Sequence, residues 1–95
     1  MNFLRRTRGG LTAKSHWELL YDWWISDFRF ELEQVRDIAL LLRRHPDKDD
    51  TTGILYRHLL VVCRDRIKQM AAEYTRVYGD RPPLRRLGRE VEDAS

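Results

Sequence analysis

Between Ser15 and Pro46 the chain contains neither glycine nor proline, and over that run Trp17, Tyr21, Trp24, Phe28, Val35, Ile38 and Leu42 recur at steps of four and three. Glu31 occupies the one rung where an apolar residue is missing. A strand buries every second residue, whereas a helix presents one face every three or four, so this ladder specifies a long helix with an apolar seam. A seam of that period is made to pack against another helix. Ser15 followed by Glu18 forms a capping box, in which each side chain satisfies an otherwise orphaned backbone N–H. Ser26 and Asp27 mark the one place where the helix could restart. Unbroken, it is roughly 45 Å long.

The run His45-Pro46-Asp47-Lys48-Asp49-Asp50 ends it, because proline disfavours a helical residue before it and has no N–H to donate. Asp50 or Thr51 is placed to cap a second helix from about Thr51 to Tyr78, with Gly53 as a weak first turn. Gly79 suits the position after that helix, and Pro82-Pro83 prevents continuation. Its stripe is Leu55, Leu59, Val62, Cys63, Met70, Tyr74 and Val77. The expected fold is all-α: an antiparallel hairpin of two long helices plus a short C-terminal helix carrying Leu84, Leu87 and Val91. Residues 1–14 read as a flexible basic arm, 15–79 as the hairpin and 80–95 as a tail or short helix.

Folding the hairpin about its turn sets Leu42 against Leu55, Ile38 against Leu59, Val35 against Val62, Phe28 near Met70, Trp24 near Tyr74 and Tyr21 near Val77. The same register sets Glu31 opposite Arg66, the one charged residue in each seam. Two opposite charges at one level predict a pair, since burying either alone is costly. A pair of this kind sets register, as polar core residues do in coiled coils. The alternative is that each side chain snorkels outward by itself. Paired, Glu31→Leu alone is expected to destabilise more than replacement of both residues.

The first helix carries a second apolar stripe, Leu19, Trp23, Phe30 and Leu41, away from the seam at about 100° per residue. One hairpin partner covers only one face. Either a second copy covers the other, making a homodimeric four-helix bundle, or a foreign protein does, or Leu84, Leu87 and Val91 fold over it.

Charge is segregated. The net charge is +3, yet residues 15–42 hold six acids against Arg29 and Arg36, while the second helix holds Arg57, Arg64, Arg66, Lys68 and Arg76 against Asp65 and Glu73. Opposite charge favours pairing of the two helices. The arm cations Arg5, Arg6, Arg8 and Lys14, together with Arg57, Arg64 and Lys68 and the tail arginines Arg81, Arg85, Arg86 and Arg89, support an alternative function in nucleic-acid binding. Phe3 and Leu4 beside the arm arginines offer a third reading, attachment to a membrane surface.

Chemistry is sparse. Cys63 is the sole cysteine, which excludes an internal disulfide and a cysteine-rich zinc site and fits reducing, cytoplasmic or otherwise intracellular surroundings. His16, His45 and His58 lie in different elements, so no metal site is expected. There is no phosphate-cradling glycine loop or nucleophile elbow, no cofactor is implied, and no run of ~20 apolar residues spans a membrane.

His45-Pro46-Asp47 followed by Lys48, between two antiparallel helices, resembles the signature of J-domain cochaperones. That resemblance implies engagement of a 70-kDa-class chaperone by the tripeptide. The family's preceding helix is strongly basic, whereas Glu31-Leu32-Glu33-Gln34-Val35-Arg36-Asp37 precedes it here. The expectation that carries most residues is a non-enzymatic protein-interaction module, a small regulatory, adaptor or assembly protein working through the aromatic face of its first helix.

Overall fold

The computed structural model describes residues 15–94, which form three helices and no strand. Helix α1 spans His16–Arg44, α2 spans Thr51–Tyr78 and α3 spans Leu84–Asp93. Both halves of the capping box are made: Glu18 N donates to Ser15 Oγ at 3.1 Å and Ser15 N donates to Glu18 Oε1 at 3.0 Å. Helix α1 runs unbroken through Ser26 and Asp27. The residues there remain on a helical ladder whose neighbours are packed, and packing outweighs a weak local preference for a fresh start.

The turn between α1 and α2 is heavily bonded. Asp50 caps α2 by accepting from Gly53 N at 2.9 Å, and both its carboxylate oxygens lie 2.8 and 3.0 Å from His45 Nε2. The Gly53 N–H and the His45 ring hold the Asp50 carboxyl below its ordinary range. Arg57 reaches back from α2 to donate to Lys48 O at 2.7 Å, and the His45 ring meets Tyr56 edge-on at 5.9 Å. Gly53, expected only to weaken the first turn, has a positive role. A Cβ there would stand 2.4 Å from Lys48 O, so only glycine lets the turn close on the helix. At the far end Gly79 adopts φ 73°, the left-handed conformation expected after Tyr78.

The three helices meet around Phe28, Tyr74 and Leu87. Phe28 and Leu87 are fully buried. The Tyr74 ring packs edge-on against Phe28 at 5.9 Å and Trp24 at 6.1 Å, and lies 4.6 Å from Tyr78. Aromatic rings in these offset and edge-on arrangements gain beyond simple area burial.

The seam differs from expectation on both helices. Trp17, Leu55 and Val77 are exposed at 59%, 50% and 40%. Tyr21 meets Tyr74 and Tyr78, at 6.4 and 6.1 Å, in place of Val77. Leu60, absent from the expected stripe, is buried. Helix α2 is rotated so that Leu60, Cys63, Ile67, Met70, Tyr74 and Tyr78 face α1.

Helix α3 crosses back onto α1. Arg29 Nη2 lies 2.8 Å from Glu90 Oε1, and Arg36 Nη1 donates to Val91 O at 2.8 Å. It therefore covers the side of α1 that carries Arg29, Leu32 and Arg36. The stripe of Leu19, Trp23, Phe30 and Leu41 is left uncovered, contrary to the alternative that Leu84, Leu87 and Val91 fold over it.

Two stability measurements follow. Gly53→Ala is expected to cost about 2 kcal/mol or more in urea unfolding followed by circular dichroism, since Lys48 backbone must move. Gly88→Ala, where an added Cβ meets nothing within 4 Å, should instead stabilise by about 0.5–1 kcal/mol through helix propensity. Burial raises Tyr74 and Tyr78 above 10.0, with Tyr21 adding to both. A raised phenol favours folding below its unfolded pKa and loses that contribution as pH rises through the folded value. Helicity should then hold to about pH 10 and fall above it, as the 295-nm absorbance of tyrosinate rises. Tyr78→Phe should soften that loss, and an unchanged alkaline profile in this variant would remove Tyr78 as a contributor.

Candidate interaction surface

Midway along the hairpin Arg66 Nη1 donates to Glu31 Oε1 at 3.1 Å and to Oε2 at 3.2 Å. Gln34 Nε2 adds a third donor to Oε1 at 3.4 Å. The pair is asymmetric: the Glu31 side chain is 9% exposed and that of Arg66 is 48% exposed. Glu31 is thus the desolvated partner, satisfied from within the protein. Arg66 keeps about half its side-chain surface in water. This asymmetry ranks the two single substitutions, which the register alone does not. Glu31→Leu leaves an arginine that can turn into solvent, whereas Arg66→Leu leaves a buried carboxylate with only Gln34.

The second stripe lies on the opposite side of α1. Leu19, Trp23, Phe30 and Leu41 are 57%, 59%, 58% and 48% exposed. At about 100° per residue their common direction lies roughly 120–140° from the faces that α2 and α3 cover. Leu19 to Leu41 is 22 residues, so the stripe extends about 33 Å. Ser26, Glu33 and Asp37 interleave with it, giving an apolar line with acidic edges. Six hydrophobic residues are buried among the described ones, while nine large hydrophobics remain exposed, four of them on this single face. Scattered exposed apolar residues are ordinary, but a line of four with two large aromatics is the pattern of a contact surface.

The cations of the alternative reading divide. Arg5, Arg6, Arg8 and Lys14 lie outside the described residues. Arg57 is held by the turn, donating to Lys48 O at 2.7 Å and to Asp49 Oδ1 at 3.3 Å. Arg64 and Lys68 are exposed on the outer side of α2 and make no ion pair among the described residues. His45, first residue of the His-Pro-Asp tripeptide, turns its ring inward to Asp50 and Tyr56.

Cys63 is buried in the seam as a packing residue. Among the described residues no group of His, Cys, Asp and Glu is arranged to hold a metal ion, and no helix is long and apolar enough to cross a membrane. Two features escaped sequence reasoning. Leu60 was missed, although Leu60, Cys63, Ile67, Met70, Tyr74 and Tyr78 form their own ladder of three- and four-residue steps. The closeness of Gly53 to Lys48 left no signal in the sequence, because it depends on how the turn closes in space.

Chemical denaturation of three variants tests the pair. Arg66→Leu should cost about 1–3 kcal/mol, Glu31→Leu less, and the double replacement less than Arg66→Leu alone. Additive effects of the two single replacements would mean that the side chains act independently.

Comparison of the chain with protein-family models, curated proteins and solved structures finds no match.

Proposed function

We propose that this chain is a non-enzymatic interaction module that works through the uncovered face of α1, and that a second copy is the partner seated there. The carrying observation is the coincidence of Leu19, Trp23, Phe30 and Leu41 on one face that neither α2 nor α3 reaches. Two-fold pairing is favoured because each copy offers the same patch, so the contact is reciprocal and closes after two chains. It brings four long helices together as a bundle, the usual way for hairpins of this length to complete a core. Trp23 and Phe30 supply the large rigid anchors on which binding energy concentrates. Helix α3, on the other side of α1, stays clear of the contact. A set of two or more such hairpins would act as a small assembly or adaptor unit, with the outer surfaces of α2 and α3 free for other partners.

A nucleic-acid reading draws on Arg64 and Lys68, which have no carboxylate partner among the described residues. The commitment of Arg57 to the turn and the acidic edge of α1 weigh against it. Inward placement of the His45 ring likewise favours a structural part for the His-Pro-Asp tripeptide over chaperone engagement.

Light scattering coupled to gel filtration tests the proposal. A mass of about twice 11.5 kDa is expected for the wild type. Trp23→Asp with Phe30→Asp should give a helical monomer, because both residues are exposed within one chain. A wild type that stays monomeric at about 100 μM, a concentration well above that needed by stable dimers, would sink the second-copy reading.

A further inference from the structure

The backbone of α3 lies close to α1 and farther from α2, which it meets only through core side chains, so an open trough remains between α2 and α3. Its volume is about 640 Å³, and Ala71, Ala72, Thr75, Pro82 and Leu84 line it together with Arg81 and Arg85. Both arginines are exposed. Neither makes a side-chain ion pair among the described residues, and nor do Arg64, Lys68 and Arg89. Their places in the helices set them as two rails. Lys68 lies one turn before Ala72 on α2, and Arg64 one turn before Lys68. Arg89 lies one turn after Arg85 on α3, which runs back alongside. An apolar floor therefore lies beside Arg81 and Arg85, and further cations along both helices make no ion pair among the described residues.

We propose that this trough binds an acidic amphipathic helix from another protein, with its apolar residues on the Ala71–Leu84 floor and its carboxylates on the two rails. The trough is open to solvent along its length, so it would leave a small ligand largely uncovered, while a helix supplies its own second surface. Arginine forks match carboxylates in two-point hydrogen bonds, and unpaired guanidiniums lose nothing already made when the partner arrives. A nucleic acid would find cations here but no exposed aromatic ring on the floor against which a base could stack. The site is separate from the α1 stripe, so it neither needs nor blocks the second copy.

The probe is a fluorescein-labelled synthetic helix of about 20 residues, with leucine and alanine on one face and glutamate on the other, read by anisotropy at about 50 mM salt. A lysine-for-glutamate version and a duplex DNA are run beside it. Binding of the glutamate helix is expected, weakened about tenfold or more by Arg81→Glu with Arg85→Glu and at about 500 mM salt. Ala72→Trp, which fills the trough without changing charge, should weaken it likewise. Circular dichroism shows whether each variant keeps its helices. The Trp23→Asp, Phe30→Asp chain should bind the probe as the wild type does, which separates this site from the self-association face. Equal binding of the lysine helix, indifference to both trough variants, or tighter DNA binding lost on charge reversal would each overturn the proposal.

Discussion

Phe28 is where the three helices become one structure. It projects from the middle of α1, is fully buried, and is flanked by Tyr74 of α2 and Leu87 of α3. A hairpin of two helices buries one stripe of each and leaves both outer sides wet. The third helix gives Phe28 a second wall, which is why a segment as short as Leu84–Asp93 persists. An isolated helix of that length is marginal in water, so its stability comes from docking on α1. Arg29 and Arg36 reinforce the docking from the α1 side, through Glu90 and the Val91 carbonyl.

Around that point the hairpin is specified at two further levels by different physics. At the turn the specification is steric and hydrogen-bonded: Asp50 caps α2 while holding His45, and Gly53 allows Lys48 to approach. Midway it is electrostatic, through Glu31 and Arg66. A desolvated carboxylate tolerates few alternative registers, because a slip of one turn removes its donors. The aromatic end relies on shape instead, with Tyr21, Tyr74 and Tyr78 interlocked. Trp24 Nε1 and Tyr78 Oη are buried there without a hydrogen-bond partner among the described residues, so ring packing carries most of that end.

The placement of α3 also determines what stays available for binding. By occupying the Arg29–Leu32–Arg36 side of α1, it leaves the Trp23–Phe30 face open. By meeting α2 only through core side chains, it leaves the basic trough open. The two surfaces differ in character. One is aromatic with acidic edges, and the other is a shallow apolar floor beside cations.

Most of the architecture could be read from the chain itself. The absence of glycine and proline from Ser15 to Arg44, the Ser15–Glu18 box, Pro46, Gly79 and the three- and four-residue ladders are local signals, and helices are built from local hydrogen bonds. The opposition of Glu31 and Arg66 was legible too, because a hairpin with one short turn permits nearly one register. Local signals could not tell which way α2 would rotate about its axis. Leu55 and Val77 lie outside the core and Leu60 inside it, and Tyr74 and Tyr78 meet Tyr21 where Val77 was expected. Nor could they tell which side of α1 the third helix would choose, since Leu84, Leu87 and Val91 would pack equally well on any apolar stripe. Those choices depend on volumes and charges from segments far apart in sequence, and only the assembled fold brings them into contact.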